Sequence, residues 1–441
     1  MEELIKYGEK FFDELEIAIY RTKSTGVSIE LNEISMAIVK TRALTVIRGI
    51  TDKKLGLAVV DSADKGDVKK GIEQAYRMAK LNSRDEKWVS LPEPDKYHEP
   101  FKPNEELKEA SPDNLVDMAV RGITLAREKD PNAIVAGGGG GIEWEESHVL
   151  NSHGIDVFQE GGAAYIYFEL VGRKGGSVTP GIVDFDAKRN LDLDVEGVIE
   201  RSIQKVQWAY NVRPSKNEEV PIVIGPWAIA GLLSFALFPA FSGEKLVKET
   251  TPLGDKVGQQ IASEIISIAD DPFHELSIAP VIADGEGVPT RRNELIRNGI
   301  FQGFVWDNYW AKIKGVKSTG NGIRDLRSGG VSIGFHNMVI ENGRKSLDDM
   351  IAEIEHGYFV DGFQGAHSSN PDNGNFAVTA NPAFLIENGE VVGSSVFLIA
   401  GNIYDLLKQA YEVSKELTVM PVMQTVITPY IAFENVKIAG K

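Results

Sequence analysis

Hydrophobic positions change their spacing several times along the chain, and each change marks an element. Residues 1–16 set Leu4, Phe11, Phe12 and Leu15 along one side of a helical repeat, which predicts an amphipathic opening helix. Alternation of apolar and polar residues then takes over in 16–23, 27–40, 43–50 and 54–60, with Gly26, Gly49 and Asp52 between the runs, and predicts an antiparallel meander. A stripe of Ile72, Ala75 and Ala79 behind Asp64 and Asp67 as N-cap candidates predicts a helix over 67–82. Residues 83–104, rich in Pro, Asp and Glu, read as a linker. Ser111 as N-cap and Pro112 as first helical residue predict a helix to about residue 129. Strands are predicted at 142–150, 155–159 and 163–171, with Ser152, His153 and Gly154 as a hairpin turn. A helix at 195–212 carries Ile199, Ile203, Val206 and Tyr210 as its stripe, and Pro214 with the charged SKNEE closes this region.

The longest uncharged stretch, residues 220–243, lies in a chain that is one quarter Asp, Glu, Lys and Arg. It is long enough to span a bilayer, for which about 20 apolar residues suffice, but Gly225 and Pro226 interrupt it and Pro239 ends it. It therefore divides into a β-branched strand at 220–224 and a buried helix starting near Trp227 that holds Leu232, Leu233, Ala236 and Leu237. Short strands broken by Gly, Asn and Pro follow to the end, which predicts a curved or barrel-like sheet around that helix. The fold class expected is α+β. N-terminal sheet and helix units (1–104 with the linker, and 105–214) precede a larger, mostly β domain (215–441).

A net charge of -17 and a pI near 5.0 argue against a phosphate-backbone partner and so against nucleic acid. The chain has no cysteine, which removes disulfides, thiolate ligands and a cysteine nucleophile together. The acidic, helix-patterned start is unlike a secretory signal, so a cytoplasmic location is expected.

Several local patterns suggest chemistry, and each has a plainer reading. The glycine run 137–141 looks like a phosphate cradle, but extended residues follow it where a helix should start, so a bulge or tight turn is expected. Residues 330–334 spell GxSxG without the helix a nucleophile elbow requires. Asp284 and Glu286 form a possible acid-base pair or, in their DGEG setting, ordinary turn chemistry. The seven histidines, His98, His148, His153, His274, His336, His356 and His367, contain no pair at helical metal-binding spacing.

Across the last domain, however, an ordered set of phrases resembles the TldD/PmbA family: FSG at 241–243, GDKVG at 254–258, IADDP at 268–272, DGEGVPT at 284–290, Asn298 with Gly299, KSTGNG at 317–322 and IENG at 386–389. The meander and helix of the first 82 residues are similar to the family's N-terminal domain. The resemblance implies a cytoplasmic two-chain peptidase. Its TldD type holds zinc with an HExxxH segment on the buried helix and a cysteine near the C-terminus, the glutamate acting as base; its TldE (PmbA) type lacks the metal site. Matched onto this chain, the segment puts Ser234 at the first histidine, Phe235 at the glutamate and Pro239 at the second histidine. A neutral hydroxyl is a poor zinc ligand, and a phenyl ring and a proline supply none. No shift in register helps, since residues 218–245 contain no histidine.

The chain is thus expected to be a TldE-like subunit without catalytic residues or a cofactor of its own. Zinc is expected in a TldD-type partner, small or unfolded peptides as substrate, and a homodimer when the chain is isolated. The loop residues Lys317, Ser318, Thr319, Gly320 and Asn321 are the candidates for a substrate groove or interface. Two other readings stay open: a homodimeric peptide-binding protein with no enzymatic role, and a peptidase in its own right built from carboxylates and histidines of distant segments.

Overall fold

Two residues with left-handed backbone, Leu31 (φ 49°) and Asn32 (φ 66°), reverse the chain between the strands Glu14–Glu30 and Glu33–Thr51 in the computed structural model, which describes residues 2–440. A second such pair, Asp52 (φ 50°) and Lys53 (φ 55°), leads into Lys54–Val60. The meander therefore has two very long strands and a short one. Gly26 and Gly49 lie inside these strands rather than at turns, and Gly49 makes room for a neighbour: a Cβ there would stand 2.5 Å from the Phe12 ring. The opening helix is shorter than its apolar spacing predicts, Glu2–Gly8, and Phe12 and Leu15 are buried from a turn and a strand. Their three- and four-residue spacing imitates a helix across a real boundary.

The first strand also pairs along its length with Ala133–Asn151, setting Glu16 opposite Asn151 and Gly26 opposite Gly141. Backbone pairing therefore crosses the division drawn at residue 104. With Asp156–Lys174 and Ile182–Lys188 beyond it, a single seven-stranded sheet runs through both N-terminal segments. The glycine run is extended within this sheet, with a bulge between Val135 and Gly137. Helix Lys65–Leu81, capped by Asp64, packs at one end of the sheet. Helix Pro112–Lys129 starts at the predicted residues and lies over the glycine strand, Gly122 facing the Phe168 ring. Helix Val195–Ala209 covers the far end and stops short of the predicted residue 212.

Residues 83–104 form a strap along the molecule rather than a free linker. The Trp88 indole donates to Glu14 (2.8 Å), Leu91 is fully buried, and the Tyr97 hydroxyl donates to the Gly287 carbonyl (2.7 Å).

In the C-terminal part, Glu218–Ile224 pairs with both His356–Val360 and Ile431–Gly440. The pairing continues through Glu390–Asn402 and Asn375–Glu387 back to His356–Val360, so five strands close into a barrel. A separate six-stranded sheet ends in the hairpin of Thr418–Pro421 and Thr425–Thr428. The central helix, Pro226–Ala236, contacts this hairpin on one side and the strand Phe363–Gln364 on the other. Alternate barrel residues serve two cores: Ile222 and Ile224 join the helix residues Leu232 and Leu233, while Val223 faces the cluster around Val206. The result is α+β, as the pattern of elements predicts. No helix among the described residues is long and apolar enough to cross a membrane.

The sheet tolerates side chains unevenly along its glycines. A Cβ on Gly139 would lie 2.6 Å from the Val27 carbonyl oxygen, whereas one on Gly161 meets nothing within 4 Å. Gly139→Ala should cost about 1–3 kcal/mol, and Gly161→Ala should be neutral or slightly stabilising. Urea unfolding midpoints report both, and equal midpoints would show that the strand spacing is misread.

Candidate functional site

The central helix begins at Pro226, whose missing N–H costs nothing in the first turn, behind Gly225 as N-cap. Ser234 is buried, and its hydroxyl accepts from the Gln424 side-chain amide at 2.9 Å. Phe235 is half-buried and turns its ring edge toward exposed His367, 6.5 Å away. Pro239 lies beyond the helix in the short turn Phe238–Phe241. A hydroxyl already bonded, a phenyl ring and a proline are not a zinc donor set. Among the described residues no group of three or more His, Cys, Asp or Glu is placed to hold a metal ion.

The loop 317–321 is a polar knot. Lys317 is exposed, the Ser318 hydroxyl donates to the Trp306 carbonyl (3.0 Å), and Thr319 Oγ1 accepts from the Trp306 N–H (2.7 Å). Gly320, with φ 76°, approaches so closely that a Cβ would stand 2.4 Å from the Pro289 carbonyl oxygen, so glycine is required there. Asn321 is fully buried and donates to Asp270 (2.6 Å) and to the Gly334 carbonyl (2.8 Å).

Asp284 satisfies its own turn, accepting from the backbone N–H of Glu286 and Val288 at 2.9 Å each and from Gly322 at 2.8 Å. Burial and then the neighbouring Glu286 charge push Asp284 up to about 8, and the Glu286 carboxylate stands beside it, both within 3.0 Å of where a Cβ on Gly322 would lie. Glu286 pairs with Arg48 (2.8 Å), which also pairs with Glu16 (2.7 Å), and Glu16 in turn pairs with Arg324. These four groups are buried, and they join the N-terminal strands to the C-terminal domain. Beside them, burial and then the Glu286 charge push Asp307 up to about 7. Sequence reasoning missed Glu16, Arg48, Arg324 and Asp307. The first two carried a usable signal, because each is a charge set among apolar neighbours (LEIAI, VIRGI) on a strand.

The other candidates are dispersed. Ser332 of the GxSxG stretch is exposed on the short strand Val331–Ile333. His148 meets Asp156 (2.6 Å), His153 meets Glu14 (3.3 Å) and His356 meets Glu218 (3.0 Å), each a separate local pair.

A cleft of about 720 Å³ is lined by none of the sequence-predicted site residues. Strand Ile182–Lys188 and helix Val195–Ala209 form one wall; the start of the central helix and strand Thr418–Pro421 form the other. Lys205 bridges them, 3.3 Å from Asp184 and 2.9 Å from Asp361. Burial opposes its charge, but Asp361 and Asp184 outweigh that and hold its pKa above the ordinary lysine range. Trp227 is 42% exposed at the rim, edge-on to Phe185 at 5.9 Å.

Comparison with known proteins matches all three parts of the chain. Residues 15–79 match PmbA/TldA metallopeptidase domain 1, 105–210 the PmbA/TldA metallopeptidase central domain, and 217–440 the PmbA/TldA metallopeptidase C-terminal domain. The crystal structure of TldE from Thermococcus kodakarensis superimposes with a TM-score of 0.99 at 73% identity, covering 100% of both chains. An uncharacterised protein of Methanocaldococcus jannaschii is 30% identical over 93% of this chain and 94% of its own length. A metalloprotease PmbA homologue of Haemophilus influenzae is 26% identical over 96% of this chain and 92% of its own.

The raised Asp307 makes stability depend on pH. A carboxyl with a folded pKa near 7 and an unfolded value of about 4 binds its proton more tightly when folded. Its contribution is complete below the unfolded value and is lost as pH rises to about 7. Asp307 caps the helix Asn308–Lys314 by accepting from the Trp310 N–H (2.8 Å), and asparagine caps equally well. Melting temperatures between pH 5 and 7 should therefore fall less steeply in Asp307→Asn than in the parent chain. Parallel slopes would place the carboxyl in its ordinary range.

Proposed function

The chain belongs to the PmbA/TldD metallopeptidase family, and from that premise we propose that it is the non-catalytic, TldE-like subunit of a two-chain zinc peptidase. A TldD-type subunit supplies the metal, and the pair cuts small or unfolded peptides in the cytoplasm. The observation that carries this reading is the central helix. The positions where the family resemblance puts two ligands and a base hold Ser234, Phe235 and Pro239, and Ser234 is spent on a structural hydrogen bond to Gln424. A two-fold dimer uses one patch on both subunits, so after duplication one copy can lose its site and keep the interface. In this reading the loop of Lys317, Ser318, Thr319, Gly320 and Asn321 presents Lys317 to partner or peptide, and the buried residues of the knot hold it in place.

A second reading, a homodimeric peptide-binding protein without enzymatic role, draws support from the open cleft of about 720 Å³. Mixing the purified chain with a TldD-type subunit separates the two. The first reading expects a stable complex on size-exclusion chromatography, peptide cleavage by the mixture but not by this chain alone, and about one zinc per complex by elemental analysis. A TldD-type subunit that stays unassociated and cuts equally fast alone would overturn it.

A further inference from the structure

Two sheet edges face the cleft, and neither has a strand partner on that side among the described residues. Ile182–Lys188 (7 residues) pairs only with Asp156–Lys174. Thr418–Pro421 (4 residues) pairs only with Thr425–Thr428. The N–H groups of Phe185 and Ala187 stay outside the ladder and meet the carboxylates of the preceding residues, Asp184 (2.9 Å) and Asp186 (3.0 Å). Such adjacent-residue contacts are local makeshifts that an incoming carbonyl oxygen can replace. An unpaired edge is a template for an extended chain.

The cleft also contains polar atoms that the protein leaves unsatisfied. The Ser277 hydroxyl, on a residue 1% exposed, and one carboxylate oxygen of Glu416 are buried without a hydrogen-bond partner, and both residues line this cavity. A buried polar atom left unpaired loses free energy that a ligand's donor restores. Of the ionisable residues lining the cleft, seven are acidic and five are basic. Lys205, Arg201 and Lys188 are paired with Asp361, Asp184 and Asp186 (2.9, 2.8 and 3.1 Å) and Glu160 with Lys108 (3.3 Å), so Glu416 is the acid of the cleft that keeps an unpartnered buried oxygen. Trp227 offers an exposed aromatic surface at the rim.

We infer that this cleft is a binding site for an extended peptide segment carrying a positive charge. The peptide main chain pairs with the edge at Phe185 and Ala187. A basic side chain or terminal ammonium meets Glu416, and an apolar side chain rests on Trp227. The site lies apart from the Ser234 to Pro239 positions, so this subunit holds the polypeptide by its own means. The inference rests on the proposed function only in taking a peptide as the ligand.

The test uses the purified full chain without any partner. The probe is a fluorescein-labelled, unstructured peptide of about ten residues, somewhat longer than a typical strand, with one lysine, followed by fluorescence anisotropy. Three comparisons are expected to show loss. The same peptide N-methylated at alternate residues should bind at least about tenfold more weakly, since its main chain cannot pair. Ala187→Pro, which removes an edge donor at a position where a strand edge accepts proline, should weaken binding similarly. Glu416→Gln should abolish the preference for the lysine peptide over its acetyl-lysine counterpart. Equal binding of the N-methylated peptide, or no saturable binding at all, would overturn the proposal even if a variant failed to fold. Either result leaves the two-chain reading standing, just as a failure to form a complex would leave this site intact.

Discussion

Four buried charges hold the molecule in one arrangement. Glu16 and Arg48 come from neighbouring strands of the N-terminal sheet, Glu286 and Arg324 from the C-terminal domain, and none is more than 7% exposed. A buried charge pays a desolvation penalty that only close partners offset, so an unpaired member is costly in any other docking of the two parts. Each acid here touches at least one guanidinium, and Arg324 also donates to the Gly285 carbonyl (2.6 Å). The strap 83–104 acts in the same direction. The Asn308 side chain donates to the Ser90 carbonyl (2.8 Å), and Tyr309 donates to Asp85 (2.8 Å). The cleft walls also come from both parts, and there Lys205 ties them through Asp184 and Asp361.

Within that frame, the central helix has been given over to packing. Leu232, Leu233, Ala236 and Leu237 are fully buried, and the one polar side chain among them, Ser234, is satisfied by Gln424. Hydroxyl, phenyl and pyrrolidine at three such positions are cheap to bury, whereas histidines and a glutamate in the same places need partners or a metal. With no charged side chain in it, the helix is held by packing and by the hydrogen bond between Gln424 and Ser234.

Much of this was legible from residue patterns, and what failed did so for identifiable reasons. Helix starts at Asp64 and at Ser111 with Pro112 were readable because capping is local chemistry. The buried helix and the barrel-like sheet followed from an uncharged run among short strands. Glycine misled, because Gly26 and Gly49 were read as punctuation although each lies within a strand, Gly49 against the Phe12 ring. The spacing of Phe11, Phe12 and Leu15 satisfied a helical template across a turn. Glu16 and Arg48 stand out locally as charges among apolar strand residues, but their partners and the docked strap have no local signature, since Arg48 and Glu286 are joined only by the fold. The cleft escaped notice for the same reason: its walls are a strand edge before residue 190 and another after residue 417.

The strand Glu14–Glu30 completes its ladder only when Ala133–Asn151 is available on its other side. At about 5–20 residues per second on the ribosome, the later strand emerges on the order of ten seconds after the first. For that interval the hairpin exposes a long open edge, the kind of surface that recruits other chains. Arg21, Lys23 and Glu30 lie along this edge and discourage like chains from adding there. Birth of this protein thus passes through a waiting hairpin, whose open edge closes when the strand Ala133–Asn151 arrives.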